Sequence, residues 1–150
     1  MPTDHQATIK ATFERFHHAT NSGDLALIET TIDEIFEPDA VFHAPVPSDR
    51  TGPEAVKRVW ATLLRAFPDI RVTIEDVITA GDKVVLRNTV TGTHRGDYNG
   101  LPATGKSVRY DEIFILRFAS GRIVESWGVV DMLAQLRQLG AIPAPTQTSS

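Results

Sequence analysis

Apolar side chains recur every three to four residues in the first third of the chain and every second residue after it, so helices come first and strands follow. Thr3 and Gln6 have capping-box spacing ahead of Ile9, Phe13 and Phe16, which share one helical face. "NSGD" at Asn21–Asp24 interrupts the pattern, and Leu25, Ile28, Ile32 and Ile35 resume it as far as Pro38. "AVFHAPV" is short and β-prone and is ended by Pro45 and Pro47, which predicts a strand running into a loop. Pro53 suits a first helical turn, and Val56, Val59, Trp60, Leu63 and Phe67 follow at helical spacing until Pro68. The period then falls to two. Strands are predicted at 70–79, 83–94, 108–118 and 123–131, divided by "AGD", the long "RGDYNGLPATGK" loop and "ASGR". "MLAQLRQLG" closes the pattern as a short helix.

This order predicts an α+β fold, with three N-terminal helices on one face of a curved, mostly antiparallel sheet and a short C-terminal helix. One domain is expected over 1–150, with a disordered tail at 144–150. A three-residue turn with Gly121 in the left-handed conformation would pair Phe118 with Arg122, and so Ile113 with Trp127 and Arg109 with Asp131. One face of the last hairpin then carries Asp111, Ile113, Ile115, Arg117, Trp127, Val129 and Asp131. The other carries Tyr110, Phe114, Leu116, Phe118, Val124 and Val130, with Glu112 as its charged member. Both faces are too apolar to stay wet, so one is expected under the helices and the other against a second subunit. The predicted homodimer buries Phe114, Leu116 and Val130.

Composition narrows the function. With 41% hydrophobic and 23% charged residues the chain reads as an ordinary soluble domain. Its formal charge of −4, with scattered basic residues, gives no footprint for nucleic acid. No basic amphipathic helix points to a membrane surface, and neither a signal peptide nor a membrane-spanning run is evident, so the cytoplasm is expected. The absence of cysteine removes thiolate nucleophiles and thiolate metal sites. His17 and His18 are adjacent on a helix, point apart and are expected at the surface, and no metal constellation is predicted.

Asp131 stands where the last strand meets the last helix. A carboxylate among apolar groups such as Trp127 and Val129 is a stronger base, because burial disfavours its charged form. The same residue directly precedes "MLAQLRQLG" and suits a helix N-cap, so base and cap are both open readings. His94 is suited to hydrogen-bonding a carbonyl or an oxyanion, or to being satisfied by loop backbone. His43 fits a pocket mouth or the surface. Arg117 suits an ester anchor or a salt bridge to Glu125, and Asp111 suits a proton-sharing partner of Asp131 or an ion cluster with Arg109. Trp60 reads as core.

"GTHRGDYNGLPATGKSV", "RFASGRIVESW" and "VVDMLAQLRQLGAIP" together resemble the SnoaL-like polyketide cyclase (ester cyclase) family, over most of the chain from "FHAP" and "FPDI" to "QLGAIP". That resemblance implies the cone-shaped α+β fold with an internal pocket shared with ketosteroid isomerase and nuclear transport factor two. It implies a metal- and cofactor-free aldol ring closure of a hydrophobic polyketide ester, with the acidic residue matching Asp131 as general acid/base. Where those cyclases are similar in having polar side chains, including a histidine, on the strand before the catalytic aspartate, the expected pocket-facing set here is Asp111, Ile113, Ile115 and Arg117. The expected site is therefore Asp131 and His94 for catalysis, with His43, Asp111, Ile113, Arg117, Trp127 and Val129 against a small hydrophobic ketone or ester. Isomerase, dehydratase or epoxide hydrolase chemistry on the same fold, and a noncatalytic dimeric module that binds a hydrophobic metabolite, are the alternatives.

Overall fold

The computed structural model describes residues 4–45 and 51–143, the first two of these by their backbone alone, and the expected tail at 144–150 lies outside this range, as does Thr3. Helix α1 (Asp4–Thr20) and helix α2 (Leu25–Ile35) are joined at the "NSGD" break, where the Asp24 side chain accepts from the Leu27 N–H and starts α2. Strand β1 (Phe36–His43) leaves α2 without a loop and runs earlier than "AVFHAPV" suggested, taking in Pro38. Proline is tolerated there because β1 is an edge strand and its ladder is irregular between Phe36 and Val41. Helix α3 (Gly52–Ala66) has Pro53 in its first turn, as its sequence required.

Strands β2 (Arg71–Ala80), β3 (Lys83–Thr93), β4 (Ser107–Ala119) and β5 (Arg122–Val130) follow, and helix α4 (Met132–Gln138) ends the fold. The sheet order is β1-β5-β4-β3-β2, antiparallel except where β1 runs parallel to β5. Register breaks in the β2–β3, β4–β5 and β1–β5 ladders bend the sheet around the helices. Ile9, Phe13, Ile28, Ile32 and Ile35 from the helices meet Val84, Leu86, Leu116, Phe118 and Ile123 from the sheet in the main core. No helix among the described residues is long and apolar enough to cross a membrane.

The β4–β5 turn differs from the expected one. Ser120 and Gly121 both have positive φ, 51° and 78°, so the loop has two residues and pairs Ala119 with Arg122. Val124 is then an extra residue between the Phe118–Ile123 and Arg117–Glu125 pairs, and Ile113 opposes Val129 rather than Trp127. The slip over most of the hairpin is two residues, and because side chains alternate with period two, the face memberships of β4 survive it.

Candidate active site

A cavity lies between α1, α3 and the concave face of the sheet, with α4 at one end. It has about 150 Å³ open to the centres of water-sized atoms, against the ~10–15 Å³ that one water needs, so it fits a ligand of many atoms. Phe13 and Phe16 of α1 and Val56, Val59, Trp60 and Leu63 of α3 form one wall. Val72, Ile74 and Leu86 and the β4 residues Phe114 and Leu116 form the other. Trp60, expected as plain core, thus lines the cavity, its ring edge-on to Phe16.

Polar groups interrupt this apolar wall at a few places. Glu112 is the one carboxylate on it among the described residues. Asn88, directly opposite on β3, donates from Nδ2 to Glu112 Oε1 at 3.0 Å. Protein surrounds the Glu112 carboxyl except toward the cavity, and this desolvation raises its pKa above the ordinary 4.5, with the Asn88 bond opposing the shift. Tyr110, two residues back on the same face, is buried, and desolvation drives its phenol far above the usual range. Gln135 of α4 accepts from the Tyr98 hydroxyl at 3.0 Å, and its side chain also hydrogen-bonds Tyr110. Burial likewise raises the Tyr98 phenol.

The loop between β3 and β4 is tied down so that Tyr98 reaches this wall. Arg95 and Gly96 donate backbone N–H groups to the Ala66 carbonyl at the end of α3, and Gly96 packs so closely on Arg65 that a Cβ would lie 2.1 Å from its carbonyl oxygen. Tyr98 and Leu101 bridge to each other. At the other edge Gln138 holds α4 to β4 by two bonds, accepting from the Arg109 N–H at 2.6 Å and donating to its carbonyl at 2.7 Å. These ties place Gln135 at the cavity end.

The expected site residues are distributed otherwise. Asp131 is exposed and caps α4, its Oδ1 accepting from the Ala134 N–H at 3.0 Å, and it is not on the cavity wall. Of the surroundings expected for it, Val129 is 75% exposed and Trp127 is half-buried against His43. Ile113, Asp111, Arg117, Trp127 and Val129 share the outer face of the sheet, so the pocket-facing set named from sequence points away from the pocket. The physical reason is the sense of the sheet: the Tyr110, Glu112, Phe114 and Leu116 face is the one that the helices cover. The same finding removes the dimer contact expected through Phe114, Leu116 and Val130, which face their own chain's helices and cavity.

His43, Arg117 and Trp127 do come together, around Glu125 on that outer face. His43 stacks on Trp127 with ring centroids 5.3 Å apart, His43 Nε2 lies 2.8 Å from Glu125, and Arg117 donates to the same carboxylate at 3.0 Å. The hydrogen bonds of His43, then of Arg117, hold the Glu125 pKa below its ordinary value. His94 is fully buried outside the cavity wall. Thr104 approaches its Nδ1 with both hydroxyl, at 2.9 Å, and backbone N–H, at 3.2 Å, so this nitrogen accepts and the loop closes around the ring. The ring packs between Phe67 and Tyr98, behind the residue that faces the cavity. His17, expected at the surface, is half-buried on the cavity wall, 2.8 Å from the Val72 carbonyl, whereas His18 is exposed.

Sequence reasoning placed Tyr110 and Glu112 together on one sheet face without giving either a role, and it did not reach Asn88 or Gln135. A signal for Glu112 was present, because a single charged residue in an otherwise apolar strand face is the informative exception.

An α+β fold that wraps helices and a bent sheet around an apolar cavity with a few inward polar groups defines the class of small pocket proteins in which this chain falls. Residues 10–139 match the model of the SnoaL-like polyketide cyclases, and the chain belongs to that family. It is 31% identical over 137 residues to the aklanonic acid methyl ester cyclase DauD of Streptomyces sp. (strain C5), covering 88% of this chain and 81% of that protein. Among solved structures it is similar to TsrD from Streptomyces laurentii, with 28% identity, a TM-score of 0.80 and coverage of 91% and 98%. IdmH from Streptomyces antibioticus is 34% identical with a TM-score of 0.74, covering 87% of this chain and 97% of that one.

Proposed function

We propose that this chain closes a ring in a hydrophobic polyketide ester by an intramolecular aldol reaction, with Glu112 as the proton-transfer group. The observation that carries this reading is the one carboxylate that the described residues place in an apolar cavity, held by Asn88 and raised in pKa by desolvation. Such a group is a stronger base than one in water and returns its proton readily in the same site. Glu112 removes a proton from the carbon beside a ketone or ester carbonyl. The carbanion attacks a second carbonyl carbon of the same molecule, a carbon–carbon bond forms, and the carbonyl π electrons move to oxygen. Glu112 returns the proton to that alkoxide, so atoms and charge balance without a co-reactant. The apolar walls from Phe13, Trp60, Leu63 and Leu86 fold the chain of the substrate and exclude water.

Asp131 is assigned to capping, since its carboxylate serves the α4 N-terminus on the solvent side. Aklanonic acid methyl ester, for which the curated relatives are named, is the first substrate to offer. Purified protein with that ester should yield a cyclised product of unchanged mass, and Glu112→Gln should lower its rate by roughly 10²–10⁴-fold. Unchanged turnover in Glu112→Gln contradicts the assignment.

We further infer a homodimer formed through the outer sheet face. Val41, Ile78, Ile113 and Val129 are exposed there, among the Asp76–Arg87 and Glu125–Arg117 ion pairs, so both signs of charge are available to a two-fold copy.

A further inference from the structure

Each hydroxyl, amide, carboxyl and imidazole side chain on the cavity wall but one is bonded to protein among the described residues. His17 reaches the Val72 carbonyl, Thr20 donates to the His17 carbonyl at 3.0 Å, Asn88 holds Glu112, and Gln135 holds Tyr98 and Tyr110. Ser126 of β5 is the exception, lining the cavity at 3% exposure with no hydrogen bond to its hydroxyl among the described residues. The unpartnered side-chain atoms that protein closes off on every side are Asn88 Oδ1, His94 Nε2, Arg122 Nε and Gln135 Nε2. The Ser126 oxygen is not one of them, so the little surface that it keeps faces the cavity.

The surroundings of this hydroxyl follow from the sheet. Ser126 pairs with Phe42 of β1 on one side and Leu116 of β4 on the other, and all three line the cavity. The next inward position on β5 is Gly128, opposite Phe114, whose ring takes the space of the missing side chain: a Cβ on Gly128 would lie 2.2 Å from it. Val130, opposite Glu112, comes after that. The hydroxyl and the carboxylate therefore stand two inward positions apart along the sheet, with Phe114 between them. A lone hydroxyl framed by Phe42, Leu116 and Phe114 suits a neutral acceptor, because an anion there would be stripped of water with one donor to replace it.

We propose that Ser126 anchors the end of the substrate that does not react, donating its hydroxyl proton to a ketone or ester carbonyl oxygen on an apolar ring system. This rests on the reading of the cavity as the reaction site and adds the residue that fixes the substrate's position along it. With one carbonyl held at Ser126, the rest of the ligand extends past Phe114 to Glu112. The carbon presented to the carboxylate is then set by its distance from the anchored oxygen. An alanine would fill the same space, so the hydroxyl contributes to binding only when a carbonyl meets it.

The test is NMR titration with two small neutral probes, α-tetralone and tetralin, which differ by the ketone oxygen. Ser126→Ala should raise the Kd of tetralone by roughly 5- to 10-fold, the equivalent of one hydrogen bond, and leave that of tetralin within about twofold. Without ligand the variant should melt at or above the wild-type temperature, since no bond within the protein is lost. Earlier melting, an equal change for both probes, an unchanged tetralone Kd, or no tetralone binding to wild type at millimolar concentration overturns the anchor. The infrared carbonyl stretch of tetralone on the wild-type protein needs no variant. It should lie below its position in an alkane solvent, and a stretch at the alkane position also overturns the anchor. Failure of the acid/base reading is separate: Glu112→Gln that still turns over substrate, while Ser126→Ala still weakens tetralone alone, would remove the catalytic role and leave the anchor intact.

Discussion

Asn88 and Glu112 face each other across β3 and β4 and are joined by a 3.0 Å hydrogen bond inside an apolar cavity. A carboxylate in that position has no counter-ion on the cavity wall, and one amide is its only hydrogen-bonding side chain there among the described residues. The consequence for acidity is an upward shift, and the consequence for chemistry is a base that works near its own pKa.

Stability should respond to pH through this group with a definite sign. The folded pKa lies above the ordinary 4.5, so the folded state holds the proton more tightly than the unfolded state. Its favourable contribution is complete below 4.5 and is lost as pH rises through the folded value. Glu112→Gln, neutral at every pH, should therefore melt at or above the wild-type temperature at neutral pH and show a flatter pH profile in mildly acidic solution. A variant that melts earlier than wild type at neutral pH contradicts the raised pKa. Activity should run the other way and rise with pH as the base ionises.

The cap at Asp131 gives a second expectation. Asn is about as good an N-cap as Asp, so Asp131→Asn should leave melting unchanged, whereas Asp131→Ala should lose ~1 kcal/mol. Equal melting of the two variants would show that the bond from Ala134 adds nothing.

Gly96 fixes the loop that carries Tyr98. Because a Cβ there would meet the Arg65 backbone oxygen at 2.1 Å, Gly96→Ala must move the loop or the end of α3. A loss of roughly 1–3 kcal/mol is expected from such overpacking. Chemical denaturation measures it, and a loss below the error of that measurement would mean that the loop relocates freely.

The proposed dimer is tested by charge on the outer face. Val129→Lys and Ile113→Asp should shift wild-type dimers to monomers in sedimentation velocity at micromolar concentration, with melting little changed. A wild-type monomer at that concentration, or dimers that survive both changes, contradicts contact through this face.

Much of the fold was legible because local period decides it. The Ile28, Ile32, Ile35 spacing and Pro53 mark α2 and α3, and "AGD" and "ASGR" mark the two hairpins. The hairpin register was legible only in its parity. Ser120 adopts positive φ without being glycine and Val124 is bulged, features that depend on how the sheet closes. The site was less legible. Both faces of β4 and β5 are apolar enough to be covered, and nothing local says which one meets the helices. Choosing the Ile113 face carried Asp111, Arg117, Trp127 and Val129 with it. Asp131 stood at a strand end, where base and cap have the same sequence appearance. The partnership of Tyr98 and Gln135, 37 residues apart, depends on the loop and α4 meeting, which no local pattern encodes.

Initial-rate measurement of ring closure on the proposed ester, with Glu112→Gln and Asp131→Asn side by side, tests the central claim most directly. Both substitutions replace a carboxylate by its amide with little change of shape, so both should fold. Turnover should fall by roughly 10²–10⁴-fold in Glu112→Gln and remain close to wild type in Asp131→Asn. The opposite result, with Asp131→Asn inactive and Glu112→Gln near wild type, would contradict the account and move the proton transfer from the cavity wall to the head of α4.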